Sequence, residues 1–233
     1  FPHGRGPCGK GMGINMKTGN VQVRLGSTDI VVNKNGFGAL PIQRISNEDA
    51  VFLLRKAYQN GINFFDTARA YTDSEYKLGI AFKDIREKLY IATKTAAQTG
   101  EEMEKDLKKS LELLQTDYID IYQFHNPAFC PKPKDNSGLY EAALEAKRAG
   151  KIRHIGITNH RLGVAKEAVQ SGLYETLQFP FCYLATEQDE ELVEMCHKAN
   201  MGFIAMKALS GGLITNSSAA YAHMAAFPHV LPI

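Results

Sequence analysis

Residues 89–125, LYIATKTAAQTGEEMEKDLKKSLELLQTDYIDIYQFH, decide the fold. Leu89-Tyr90-Ile91-Ala92-Thr93 is a short apolar run of strand-forming residues that ends in Lys94. Thr99 then opens a helix. Glu101, Glu102 and Glu104 lie early in it and Lys108 and Lys109 late, which complements the helix dipole. Leu107, Leu111 and Leu114 recur on one face, and Glu101–Lys105 and Glu104–Lys108 are i,i+4 pairs on the solvated one. A second apolar run, 118–124, follows and ends in His125. A strand, a helix and a strand in this order imply a βαβ unit and hence a parallel sheet.

The same rhythm extends in both directions. Apolar runs occur at 34–38, 62–66, 89–93, 118–124, 152–157, 175–179, 202–206 and 229–233. Helical patterns lie between them. Ser46-Asn47-Glu48-Asp49 supplies caps before an apolar face of Ala50, Phe52, Leu53, Leu54, Ala57 and Tyr58. Ser137–Ala149, Arg161–Gln170 and Thr186–Lys198 read as further helices, with Gly150, Gly172 and Gly202 placed to terminate three of the helices. Upstream, Val21–Leu25 and Ile30–Val32 flank the turn Gly26-Ser27-Thr28-Asp29 and predict a β-hairpin. Eight strand candidates, seven with room for a helix after them, point to an α/β chain of the (β/α)8 TIM-barrel type. A doubly wound dinucleotide fold would need GxGxxG after its first strand; Gly36-Phe37-Gly38 lacks the third glycine and runs into Pro41. The barrel is expected over 20–233, with 1–19 as a flexible tail or non-native extension. Residues 20–233 fall short of the ~250 typical of this fold. The deficit is expected after 229–233, as a barrel truncated after the start of strand eight.

Composition narrows the function. The chain has 233 residues, 44% of them hydrophobic, enough for one core. A net charge of +2 without a Lys/Arg cluster argues against a nucleic-acid partner. No apolar run approaches the ~18 residues of a membrane span. Cys8, Cys130, Cys182 and Cys196 are widely spaced and read as isolated thiols in a cytoplasmic setting, with no metal site. Several short matches are decoys. Gly4–Lys10 imitates a P-loop but is followed by Gly11 and preceded by no strand. Ser74-Glu75-Tyr76-Lys77 and Lys17-Thr18-Gly19 stand in the wrong order for a penicillin-binding enzyme; Ser74 reads better as an N-cap. Asn216-Ser217-Ser218 is a chance glycosylation sequon, and His154 and His160 read as structural or cofactor-proximal rather than as metal ligands.

A parallel barrel carries its site at the C-terminal strand ends. Strand two ends in Asp66, followed by Thr67-Ala68-Arg69-Ala70-Tyr71; strand three ends in Lys94 and strand four in His125. Adjacent strands lie ~4.8 Å apart, so these groups can converge on one mouth. Their chemistry is coherent. A cation beside a tyrosine favours its phenolate, Asp66 would hold Lys94 charged, and His125 could hydrogen-bond a substrate oxygen. The set describes a proton donor, Tyr71, aimed at an oxygen gaining negative charge. Carbonyl reduction needs such a donor and also a hydride source, which implies a nicotinamide cofactor.

With Asp66–Tyr71 followed by Ser74-Glu75, Ala92-Thr93-Lys94, the segment Asp117–His125 and Gly156-Ile157-Thr158-Asn159, the sequence resembles the aldo-keto reductase family from about Val21 onward. The resemblance implies an oxidoreductase that reduces an aldehyde or ketone with NAD(P)H, NADP(H) being expected ahead of NAD(H). Asp66, Tyr71, Lys94 and His125 match its catalytic tetrad, with Tyr71 as general acid. Thr158, Asn159 and Gln178 match its carboxamide contacts. Gly38 and the segment Met206-Lys207-Ala208-Leu209-Ser210-Gly211-Gly212 match cofactor-facing positions, of which Met206, Lys207, Leu209 and Ser210 are the candidates. Met206 stands where many members have an aromatic residue. Asn126-Pro127 stands where many have Trp-Pro, on a substrate-facing loop, Asn126–Asn136, that carries Pro127, Pro131 and Pro133. These features are similar to a microbial branch whose members often carry an iron–sulfur region after the barrel; nothing here supplies its cysteines. Two other readings stay open: a non-enzymatic regulatory subunit that binds NAD(P)H, and a Schiff-base aldolase using Lys94.

Overall fold

The computed structural model describes residues 21–233. The extension expected over 1–19, with Cys8, the P-loop-like segment and Lys17-Thr18-Gly19, lies outside the described residues. The first elements are β1 (Gln22–Arg24) and β2 (Val31–Asn33), an antiparallel hairpin with Val23 opposite Val32. The Thr28 hydroxyl fixes its turn, donating to Leu25 O at 2.7 Å and accepting from Ile30 N at 3.1 Å.

The remaining elements alternate as expected. They are β3 (Phe37–Gly38), α1 (Asn47–Gln59), β4 (Phe64–Asp66), α2 (Ser74–Phe82), β5 (Tyr90–Thr95), α3 (Gly100–Leu114), β6 (Ile119–His125), α4 (Leu139–Arg148), β7 (Ile152–Thr158), α5 (Leu162–Ser171), β8 (Thr176–Pro180), α6 (Glu187–Lys198), β9 (Gly202–Met206), α7 (Ser217–Ala225) and β10 (Val230–Pro232). The strands from β3 to β10 form one eight-stranded parallel sheet in sequential order. The sheet curls until its edges meet: Gly36 N, beside β3, donates to Pro232 O of β10 at 2.8 Å. Seven helices pack around it among the described residues, and none is long and apolar enough to cross a membrane.

Alternation along the strands separates two apolar layers. Phe65, Ile91, Tyr122, Phe124, Ile155 and Ile157 pack outward against the helices. Phe64, Ala92, Ile121, Ile204 and Leu231 point inward, where they meet Val23, Leu25, Ile30 and Val32 of the hairpin. Burying each of these larger apolar side chains is worth about 1.5–3 kcal/mol. The hairpin thereby closes the end where the strands begin, and the chemistry is left to the other end. Asp29 in its turn reaches Arg153 and His154 at the start of β7, at 2.5 and 2.8 Å.

Several local expectations change. Ser74 is the first residue of α2, not its cap: its hydroxyl is buried, donating to Ala39 O at 3.0 Å and accepting from Thr67 at 2.8 Å. Lys77 is buried too, donating to Ile42 O at 3.0 Å and Ile45 O at 2.8 Å, so the Ser-x-x-Lys match is an anchor for the turn after β3. Gly150 and Gly172 take positive φ of 72° and 65° behind α4 and α5. Gly202 instead lies in β9, and Asn200 (φ 52°) supplies the left-handed residue behind α6. Gly202 is needed for close approach, since a Cβ there would lie 2.8 Å from Leu25 Cβ. The Glu101–Lys105 pair forms at 2.7 Å, but Lys109 pairs with Glu112, at 2.8 Å, in place of the expected Glu104–Lys108 contact. Asn216 caps α7 by accepting from Ala219 N at 3.0 Å, a structural use of the sequon.

Candidate active site

The inward positions at the C-terminal strand ends are polar: Asp66 on β4, Lys94 on β5, Gln123 and His125 on β6, Thr158 on β7 and Gln178 on β8. The ladder sets Lys94 beside Gln123, His125 beside Thr158, and Thr158 beside Gln178. Parallel pairing without a slip therefore carries the polar set around one mouth.

Lys94 and Asp66 form a buried ion pair at 2.5 Å, and Lys94 Nζ also donates to Thr67 O at 2.6 Å. Burial works against both charges, pushing Asp66 up and Lys94 down, while each partner opposes the shift in the other. Tyr71 sits above them, with Lys94 Nζ 5.3 Å from its ring centroid. Its ring meets His125 edge-on at 5.8 Å. All four residues expected at the site are thus brought together.

The electrostatics differ from the expected ones. Burial, with the charge of Asp66 adding to it, pushes the Tyr71 hydroxyl well above its usual range. Lys94 spends its hydrogen bonds on Asp66 and Thr67 and approaches the face of the phenol ring, so the expected net lowering is absent. Tyr71 is accordingly protonated, the state a proton donor requires. His125 is held down at about 4 by burial, then by Lys94 and His160, and is neutral at physiological pH.

The loop that carries Tyr71 is fixed from below. Arg69 pairs with buried Glu75, which accepts from Thr93 Oγ1 at 2.6 Å. Thr72, next to Tyr71, adopts φ 40°, and its hydroxyl meets Gln43 at 3.2 Å. A β-branched residue in the left-handed region is strained, so this turn is held by its surroundings.

The remaining candidates line the other side of the mouth. Asn159 is buried; its amide donates to Pro127 O at 2.8 Å and accepts from Arg161 N at 2.8 Å. Gln178 faces the barrel interior, donating to Asp66 Oδ2 at 3.3 Å and accepting from Gln123 at 3.0 Å. Gly38 ends β3 and Met206 ends β9. Lys207 and Ser210 have positive φ of 62° and 50°, and Ser210 N donates to Lys207 O at 2.7 Å; Leu209 lies half-buried between them. A cleft of about 200 Å³ opens between this loop and the one after β8, lined in part by Phe181, Lys207 and Ser210. A larger groove, about 570 Å³, lies outside the barrel between α3 and α4, away from these groups. Gln123 is a site residue that the sequence pattern did not single out, although an amide on the same side of β6 as His125, two residues before it, is a visible signal.

The description "Aldo/keto reductase family" matches residues 34–229. The chain belongs to the aldo-keto reductase family. It is 31% identical over 211 residues to L-galactose dehydrogenase of Arabidopsis thaliana, a match covering 82% of this chain and 66% of that protein. It is 26% identical over 226 residues to the NADH-specific methylglyoxal reductase of Escherichia coli, covering 84% and 69%. The fold superposes on an aldo-keto reductase from Bacillus halodurans in its holo form, with a TM-score of 0.74 and 26% identity over 82% of this chain and 67% of that one. An aldo-keto reductase from Klebsiella pneumoniae in complex with NADPH gives 0.77 at 22% identity, covering 92% and 84%, and speaks for the fold alone. The chain thus spans about two-thirds of the length of the curated relatives named here.

Proposed function

We propose that this aldo-keto reductase chain reduces an aldehyde or ketone to the alcohol with NAD(P)H, using Tyr71 as the general acid. The observation that carries the reading is the stack of Asp66, Lys94, Tyr71 and His125: a buried ion pair under a protonated phenol, with a neutral imidazole at its edge. The residues opposite fit a nicotinamide dinucleotide. Lys207 and Arg161 make no carboxylate pair among the described residues, and both act with burial to lower His160, so their positive fields overlap at the rim. Such a field beside a cleft suits a pyrophosphate.

When bound, the nicotinamide supplies the hydride. Thr158, Asn159 and Gln178 would hold its carboxamide, Gly38 and Met206 would border it, and Lys207, Leu209 and Ser210 would line the path of the pyrophosphate. Tyr71 gives its hydroxyl proton to the substrate oxygen as the carbonyl carbon is reduced. Neutral His125 donates an N–H to the same oxygen and fixes its position. The ammonium of Lys94 stabilises the phenolate left on Tyr71, and Asp66 keeps that ammonium in place. The phenolate then recovers its proton from solvent. NADP(H) is favoured over NAD(H), and the barrel is taken as the unit over 20–233.

Oxidation of NADPH and of NADH against a panel of aldehydes and ketones tests the proposal in the wild type and in Tyr71→Phe. Turnover that falls about 10²–10⁴-fold in the variant, with nucleotide affinity kept, supports it. Unchanged turnover removes Tyr71 from the role. Tight nucleotide binding without any wild-type turnover would favour a regulatory subunit, and borohydride trapping of substrate on Lys94 an aldolase.

A further inference from the structure

Gln123 has no part in that chemistry, yet it is fully buried in the centre of the site. Its Nε2 donates to Asp66 Oδ1 at 3.3 Å and to Gln178 Oε1 at 3.0 Å. Lys94 and Gln178 both donate to the other oxygen, Oδ2, at 2.5 and 3.3 Å. Among the described residues, Gln123 is therefore the only side chain that donates to Oδ1. Its orientation is one-sided: Oε1 has no partner among the described residues, and the side-chain hydrogen bonds found there all run from the N–H₂ end. Room for it comes from Gly156, its ladder neighbour on β7, where a Cβ would lie 3.0 Å from Gln123 Cγ and 2.4 Å from Thr176 Oγ1.

We propose that Gln123 is a positioning residue that keeps Asp66 ionised and oriented toward Lys94 when Gln178 turns its amide to a carboxamide ligand. The proposal rests on the role suggested above for Gln178. The Gln178 amide is committed to Asp66 and Gln123. A carboxamide that engages it takes away one donor from Oδ2. Lys94 then holds Oδ2 and Gln123 holds Oδ1, so neither carboxylate oxygen is left bare in a dry interior, where an unpaired charge is costly. The groups that face Asp66 are Lys94 from β5, Tyr71 from the loop after β4, Gln123 from β6 and Gln178 from β8; His125 stands beyond Tyr71. Lys94 is the one cation among them, so every donor to Asp66 bears on which partner of the ion pair carries the proton. If Asp66 takes the proton, Lys94 becomes a neutral amine and loses its hold on the Tyr71 phenolate.

The test is the titration of Asp66 in protein labelled with ¹³C at aspartate carboxyls, its resonance assigned by its loss in Asp66→Asn. In Gln123→Leu the Asp66 resonance is expected to titrate higher by about one pH unit. The acid limb of kcat moves up with it, with KM for the carbonyl substrate little changed. In Gln123→Glu the new carboxyl donates while protonated and repels Asp66 once ionised, so kcat falls with rising pH over a range where the wild type is flat. An Asp66 resonance that titrates as in the wild type in folded Gln123→Leu overturns the proposal. So does reduced turnover in both variants with unmoved pH limbs, which is what a packing role alone gives. Failure of the wild type to reduce any carbonyl would remove the functional reading and leave the carboxyl titration to decide the Gln123–Asp66 link.

Discussion

Glu175→Gln isolates the clamp at the closed end of the barrel. Glu175 precedes β8 and is the meeting point of three elements. Its Oε1 lies 2.7 Å from His154 Nδ1 of β7. Its Oε2 accepts from Lys147 of α4 at 2.6 Å and from Ile155 N at 3.0 Å. Burial alone would raise its carboxyl, but the hydrogen bonds from His154, Lys147 and the Ile155 amide outweigh it and hold the group down at about 2. The ordinary value is 4.5. A carboxyl depressed in the folded state adds stability above its unfolded value and loses it as pH falls toward the folded one. The difference corresponds to roughly 3 kcal/mol at neutral pH, fading between about pH 4.5 and about pH 2. Glutamine is close to the protonated carboxyl in shape and charge. Urea denaturation of both proteins at a series of pH values should therefore show a gap of that order at pH 7. The gap should narrow steadily below about pH 4.5, since carboxylates outside this cluster titrate alike in both proteins and cancel, whereas Asp29 shares His154 with Glu175 and adds to the change. A gap independent of pH between 7 and 3 would refute the reasoning, because the loss would then be one of packing rather than of charge.

Further outcomes follow from the site and the core. Lys94→Met strands the Asp66 carboxylate, which costs about 3–5 kcal/mol or forces Asp66 to protonate; thermal unfolding should show a lower Tm, and Asp66→Asn in the same chain should recover much of it. Gly202→Ala places a methyl against Leu25 and should lower stability by about 1–3 kcal/mol by denaturant titration, whereas Gly163→Ala, at a site open to solvent, should not. With His125 held at about 4, no limb of the kcat/KM profile between about pH 5 and 8 should belong to it. A His125→Gln variant that abolishes a limb in that range would contradict this.

Much of the architecture was legible in the chain because a parallel barrel writes itself twice. Each strand is a short apolar run whose side chains alternate between the helix-facing and the interior layer, and most helices carry an amphipathic face. Ile121, Gln123 and His125 share one side of β6 by parity alone. Asp66, Lys94 and His125 were recognisable because strand ends coincide with the mouth in such a fold. The Ser74 cap and the Gly202 terminus were misread for one shared reason. Local rules assign a residue to its nearest helix end, whereas burial had already committed Ser74 to Ala39 O and Gly202 to Leu25. The Tyr71 electrostatics were misjudged because a cation nearby in sequence logic is not a cation on the hydroxyl.

The amino-acid sequence by itself determined the order of strands and helices, the inward parity of each strand, and which ionisable residues end up at the mouth. Those properties follow from periodicity and local hydrogen bonding, which act over a few residues. Only the tertiary structure decided how the polar groups are paired. Gln123 reaches Asp66 across 57 residues of chain and Gln178 reaches it across 112. Hydrogen-bond distance and dry surroundings set the charge states of Asp66, Lys94, Tyr71 and His125, and neither exists until the sheet has curled and the hairpin has closed its far end.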